Sequence, residues 1–502
     1  MKLKRMNSKI WTVALVVATF ATGCQKFLDR DPLGRYVLDE VQGSSFESEV
    51  FGAYANLRQE GVAGLPYIAI HGMRSDDSDK GSATNDGADA EGIFDNFQYR
   101  TDFWLMNNYW THHYRLIQSA NNVIVDINES GSTEPAVMIN LAEAKFIRAY
   151  AYFNLVRTFG EIPKVDFRVT ELGESNIAKS PSNVIFELID ADLQDAVAYL
   201  PTEWPADFAG RLTKGAAFAL QAKTYLWRSN WGMALSAAES VINLGKYSLV
   251  TDYQSIFRET GENNVESIFE IQAFYSPTIT NLGTQYATVQ GVRGAGVWNL
   301  GWGWNTPTEN LAQAFETGDP RKDATLLYSG QVNTPYNENV PPATATIPRN
   351  YWNKKVYTNP AVRNQMNSQA GQWMNVRIIR YADVLLMAAE AANEIGGPQN
   401  ITKAKGYLEE VRGRARGNST TILPVVTTDD QDELRDAIRH ERRVELGMEN
   451  ERFFDLVRWD IDVDVLHAHG KTGYQLKHRL MPIPQPEIDK SGGKLIQNPD
   501  YQ

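Results

Sequence analysis

Two groups of residues in this chain are of types that do chemistry. The first is the charged stretch from Glu433 to Trp459, ELRDAIRHERRVELGMENERFFDLVRW. Ile438, Arg442, Glu445, Glu449 and Arg452 follow steps of four, three, four and three, so on one helix they would share a face with apolar residues. Glu441 and Glu445 have the spacing of a general acid/base pair. With an arginine within reach of every carboxylate, however, these acids stay ionised and make poor proton donors. The pattern is that of an ion-pair lattice of bidentate guanidinium–carboxylate contacts that fastens the C-terminal helices to the body.

The second group is aromatic. Trp298, Trp302 and Trp304 are separated by Gly301 and Gly303 in WNLGWGWN, outside any helical pattern. Glycines beside indoles leave the ring faces uncovered, and an uncovered indole stacks on the C–H face of a sugar ring. Arg293, Asn299, Asn305 and Asn107 are polar companions that suit hydroxyl groups. Trp227, Trp231 and Trp459 fall in helical patterns and are expected in the core. The chain carries no G-x-S-x-G turn, no H-E-x-x-H and no glycine-rich phosphate loop. His440-Glu441 starts a zinc-type motif, but Val444 stands where the second histidine belongs, and His112 and His113 diverge on a helix. No cofactor and no metal site is expected. The aspartates between His71 and Gly92 lack the alternating pattern of a calcium loop and read as a solvated surface loop.

The elements that must position these groups follow from periodicity. The 502 residues, 43% hydrophobic and 22% charged, describe a folded chain with ample core. A net charge of −12 excludes a phosphate backbone as partner. Helices are expected near Phe46–Glu60, Asn108–Ile127, Asn140–Phe159 and Ser180–Leu200, the last opened by Ser180-Pro181. Small residues recur where two helices would cross closely, as in Ala222, three before Tyr225 on one helix, against Ala234 and Ala238, followed by Val241, on the next. They recur again from Tyr381 to Val411, which is the spacing of tetratricopeptide units. Between about residues 247 and 375 helical periodicity fades and Gly, Pro, Asn and aromatics accumulate. A stretch of that length is more often functional than a linker. Trp104 stands in a loop-like stretch before the first long helix and is a further candidate for ligand contact.

At the N-terminus, Lys2, Lys4, Arg5 and Lys9 precede the short apolar run IWTVALVVATF, which is too short for the ~20 residues of a spanning helix and fits a secretory signal. Ala21-Thr22-Gly23 lead into Cys24, the one cysteine of the chain, where lipidation would anchor it to a membrane without spanning it.

ERRVELGMENERFFDLVRW, FLDRDP after Cys24, AEAKFIRAYAYFNLVRTFGEIPKV, and the closing PIPQPEID and QNPDY together resemble the SusD/RagB family, the outer-membrane nutrient-binding lipoproteins of Bacteroidetes. The resemblance runs from Cys24 to Tyr501. It implies a mostly α SusD-like fold, a right-handed superhelix of tetratricopeptide-type helix pairs with a loop-rich region carrying the ligand face. The organisation expected is a signal peptide over 1–23 and a single domain over 24–502. Repeat helices would cover about 108–245 and 376–460, with the ligand region of about 247–375 between them. It further implies a non-enzymatic protein, lipid-anchored at Cys24 on the outer membrane, facing outward. That protein binds a glycan through Trp298, Trp302, Trp304 and Trp104 and delivers it to a SusC-like TonB-dependent transporter. The same architecture binding peptides or another nutrient, and a surface glycoside hydrolase, are the alternatives.

Overall fold

The computed structural model describes residues 46–83, 85–344 and 347–501. The signal segment and Cys24 lie outside the described residues.

Helices α1 (Glu47–Leu57), α2 (Trp104–Ser130), α3 (Pro135–Phe159), α4 (Ser182–Tyr199), α5 (Lys214–Trp227) and α6 (Trp231–Asn243) build the first half. Helices α7 (Tyr381–Ile395), α8 (Pro398–Arg416), α9 (Gln431–Leu446) and α10 (Arg452–Arg458) build the second. Local chemistry sets their ends. Pro135 and Pro398 occupy first-turn positions, where the missing N–H costs nothing. The Thr213 and Asp430 side chains accept backbone N–H bonds that open α5 and α9. α2 stops at Gly131, in the left-handed conformation that glycine adopts without strain.

Neighbouring helices pack in series, α2 on α3, α3 on α4, α5 on α6, α6 on α7 and α7 on α8. The α5–α6 and α7–α8 crossings are lined by fully buried alanines, including Ala216, Ala222, Ala234, Ala238, Ala388 and Ala404, and these small side chains let the backbones approach. The helix-pair scaffold is therefore the one the spacing implied. α4 begins at Ser182, with Pro181 just outside it.

Short strands lie outside the helix pairs, one between α1 and α2 and the others between α6 and α7. β1 (Ser78–Gly81) pairs antiparallel with β3 (Trp304–Pro307), and β2 (Ser267–Ile271) pairs antiparallel with β4 (Val376–Arg380), which leads directly into α7. The β2–β4 ladder closes the ends of the region between α6 and α7 against the helices.

Two expectations are corrected. The run from His71 to Gly92, expected as a solvated loop, is buried from His71 to Asp77, with Ala69–Met73 forming a π-helical turn. The reason lies far off in sequence. Asp76 accepts from Arg452 at 2.9 Å and pairs with Arg443 at 2.8 Å, and Arg443 also holds Asp77 at 2.8 Å. Burial pushes the Asp76 carboxyl up, but the two guanidiniums outweigh it and bring it down to about 2. The single charged helix expected from Glu433 onward is also broken. α9 ends at Leu446, Met448 and Asn450 take positive φ, and α10 starts afresh at Arg452.

The charges nonetheless form the lattice expected of them. Arg380 bonds Glu266 at 2.7 Å, Glu445 at 2.6 Å and Glu449 at 2.8 Å. Glu445 is also paired with Arg321 and Arg414, and Glu441 with Arg321 and Arg412. Burial alone would raise Glu445, but Arg414, Arg380 and Arg321 hold it far below the usual carboxylate range. A carboxylate so held gives up no proton at neutral pH.

Candidate functional site

β1 and β3 bring together two segments more than two hundred residues apart. Gly81 stands opposite Trp304 in the ladder. β1 is pinned from behind, where the Lys471 ammonium donates to the carbonyls of Met73 at 2.9 Å and Ser78 at 3.0 Å. The two carboxylate oxygens of Asp95 accept the Lys80 N–H at 2.9 and 3.0 Å. On the other strand, the Trp302 N–H bonds the Thr288 carbonyl at 2.8 Å and the Gly303 N–H bonds that of Gly291 at 3.0 Å. Gly303 has φ +72°, and a Cβ there would fall 2.7 Å from the Arg293 Cβ. The glycine next to the indoles is thus required by close approach of backbone as much as by ring exposure.

In front of this ladder opens a cavity of about 710 Å³, lined by Asp86, Arg100, Trp104, Arg293, Trp302 and Trp304 together with Leu65, Phe103, Leu105 and the 87–90 turn. Trp104 is 50% exposed and Trp302 37%, whereas Trp304 is 7% exposed. Two indoles therefore offer open faces and the third forms the wall. The wall is fixed by Asp86, whose Oδ2 accepts from the Trp304 Nε1–H at 3.3 Å and also from the Ser82 hydroxyl and the Arg293 guanidinium. Burial would raise the Asp86 carboxyl, but the Ser82 and Trp304 hydrogen bonds and Arg293 lower it below its ordinary value. The Lys80 ammonium lies 5.2 Å from the Trp304 ring centroid, on a side chain with no exposure. Gly87, at φ +64°, lets the chain pass over the same indole, because a Cβ there would come within 2.6 Å of Trp304 Cζ2.

The second side of the cavity comes from the start of α2. Trp104 is the first residue of that helix rather than part of a preceding loop, and its ring leans on Phe103 with centroids 6.4 Å apart. Arg100 donates from Nε to Asp102 and from Nη1 to Asp89, each at 3.2 Å. These contacts tie the approach to α2 to the 87–90 turn.

Of the residues singled out from sequence, Trp104, Trp302, Trp304 and Arg293 meet at this cavity. Trp298 does not line it. It is half-buried in a short turn and stacks on Tyr357, with centroids 6.5 Å apart and planes within 10°, inside a satellite apolar cluster with Val292, Leu300 and Trp352. Asn305 is buried and bonds Ser78 at 2.6 Å and Gln290 at 2.8 Å, which braces the ladder from within. Asn107 and Asn299 are not among the lining residues. Asp86, Asp89, Arg100 and Asp102 escaped sequence reasoning. Their one signal was the Asp/Gly-rich turn itself, which does not point to a partner.

The arrangement offers two exposed indoles on which a ring can stack and presents carboxylate and guanidinium groups to its hydroxyls. Its carboxylates each face a guanidinium, so the arrangement favours binding over proton transfer.

Comparison with known proteins identifies relatives over nearly the whole chain. Residues 265–477 match the family model described as "SusD family", and residues 38–226 match that described as "Starch-binding associating with outer membrane". The SusD-like protein P2 of Formosa agariphila is 30% identical over 510 residues, covering 97% of this chain and 98% of that protein. The crystal structure of a SusD homolog from Bacteroides thetaiotaomicron superimposes with a TM-score of 0.78 at 24% identity, over 91% of this chain and 96% of that one. Surface glycan-binding protein A from the same organism, in complex with laminarihexaose, gives a TM-score of 0.72 at 22% identity, over 90% and 98%.

Proposed function

Since this chain belongs to the SusD family, we propose that it is a surface glycan-binding lipoprotein that captures an oligo- or polysaccharide in the Trp104–Trp302–Trp304 cavity. It then delivers the glycan to a SusC-like TonB-dependent transporter in the outer membrane. The observation that carries the proposal is the pair of exposed indoles, Trp104 and Trp302, from remote segments, facing one cavity braced by ion pairs. Structural relatives named for laminarin binding and for a laminarihexaose complex support a glycan as the ligand. Anchoring through Cys24 and presentation to the cell exterior belong to the same proposal, as does the single domain from Cys24 onward. In it the helix pairs are the scaffold and the transporter-facing body, and bond cleavage falls to other proteins.

Calorimetric titration of the detergent-solubilised lipoprotein with laminarin, starch and other glycans tests this reading. Binding to one glycan class that is lost in a folded Trp302→Ala or Trp104→Ala variant would bear it out. Binding to peptides alone would move the ligand class, and hydrolysis of a bound glycan would move the protein to the glycosidases.

A further inference from the structure

The charges of the cavity say more about the ligand than the indoles do. Its lining carries three carboxylates, Asp86, Asp89 and Asp102, against two guanidiniums, Arg100 and Arg293, so one negative charge is in excess. Neither guanidinium is free. Arg100 is bound to both Asp89 and Asp102, and Arg293 to Asp86. The acids at the first of these clusters are also the more open partners, Asp89 being 62% and Asp102 70% exposed beside 52% for Arg100. Lys80, beside the Trp304 ring, has no exposure and donates to the Ala83 carbonyl at 3.0 Å. An approaching sulfate or uronate would therefore meet guanidiniums already neutralised by carboxylates and would sit beside those negative charges. A hydroxyl meets no such obstacle, because ionised carboxylates accept its O–H while the remaining guanidinium N–H groups donate to its oxygen.

Resting on the glycan-capture reading above, we propose that this cavity selects uncharged glycans and discriminates against sulfated or uronate-bearing chains. One uncompensated charge at a water-exposed site corresponds to a preference of about three- to tenfold at low ionic strength, and salt screens it.

The test is titration of the intact lipoprotein in detergent with laminarin, soluble starch and dextran, each beside its sulfated derivative of matched length. The expected result is tighter binding of one neutral polymer than of its sulfated form. The ratio should shrink as salt rises from about 0.02 M to about 0.3 M. Asp102→Asn, which removes the excess charge, should bring the ratio toward one. A sulfated derivative that binds as tightly as its parent or more so, and that is lost in Trp302→Ala, would overturn the selectivity and leave glycan capture standing. Absence of binding by every neutral and every sulfated polymer would overturn capture itself, and the selectivity with it.

Discussion

Replacing Arg442 with methionine keeps an unbranched, shorter stem and removes a guanidinium that is 1% exposed. Arg442 bonds Asp383 at 2.6 Å and Asp455 at 2.8 Å, and so joins α7, α9 and α10. In the variant Asp383 keeps only Lys223, at 2.9 Å, and Asp455 only Arg458, at 2.9 Å. Breaking a buried pair on one side costs about 3–5 kcal/mol, because the stranded charges stay desolvated. With a urea m-value of about 3 kcal/mol/M, the unfolding midpoint falls by about 1 M or more. The pH dependence carries a second signature. Burial would raise both carboxyls, but Lys223 and Arg442 hold Asp383, and Arg442 and Arg458 hold Asp455, below the ordinary aspartate range. For a depressed carboxyl the stabilisation is present above its unfolded pKa and is lost as pH falls through the folded one. In Arg442→Met both carboxyls titrate higher, so the deficit measured at neutral pH should shrink toward acid as they take up protons. Urea titrations of both proteins across that range check this. A midpoint within about 0.3 M of the parent at neutral pH would refute the view that the lattice holds the C-terminal helices to the body.

Other outcomes follow from single residues. Asp95 is pushed up by burial to about 7 from 3.8 despite Lys471, so its contribution is present at acid pH and is lost as pH rises from about 4 to about 7; Asp95→Asn should gain on the parent in Tm at pH 8 relative to pH 5, by differential scanning calorimetry. Gly87→Ala should cost about 1–2 kcal/mol in thermal unfolding, because its positive φ and the Trp304 ring both oppose a Cβ, and it should weaken glycan binding by shifting the wall of the cavity. Trp298→Ala should lower Tm through the loss of its packing on Tyr357 while leaving glycan Kd within about twofold, in contrast to Trp302→Ala.

The helices of the scaffold were legible in the sequence because alanine and aromatic residues recur at helical spacing, as Ala142, Phe146, Ala149 and Phe153 do, although that helix is buried on nearly every side from Asn140 to Phe159. The lattice was legible as well, since acids and arginines in apolar surroundings must pair. Chain breaks were not: Gly447 to Asn450 interrupts the charged helix without any proline, through positive φ at Met448 and Asn450. The fate of His71–Gly92 was equally hidden. Asp76 and Asp77 look like surface residues until Arg443 and Arg452, each more than 350 positions away, are seen to cover them, whereas Asp89 stays exposed as expected. At the cavity, composition flagged four tryptophans but could not separate Trp298 from Trp302. That distinction arises from the short β1–β3 ladder and the Asp86 hub, which carry too few residues for any period to reveal.

The most direct test of glycan capture is the affinity of the parent and of Trp104→Ala, Trp302→Ala and Trp304→Ala for one bound glycan, measured by calorimetry on proteins shown to be folded. Truncating either exposed indole should weaken binding at least tenfold, which corresponds to ~1.4 kcal/mol of lost stacking. Trp304→Ala should weaken it too, by releasing Asp86 and Arg293. Undiminished affinity in Trp104→Ala and Trp302→Ala together would contradict the assignment of this cavity as the site of capture.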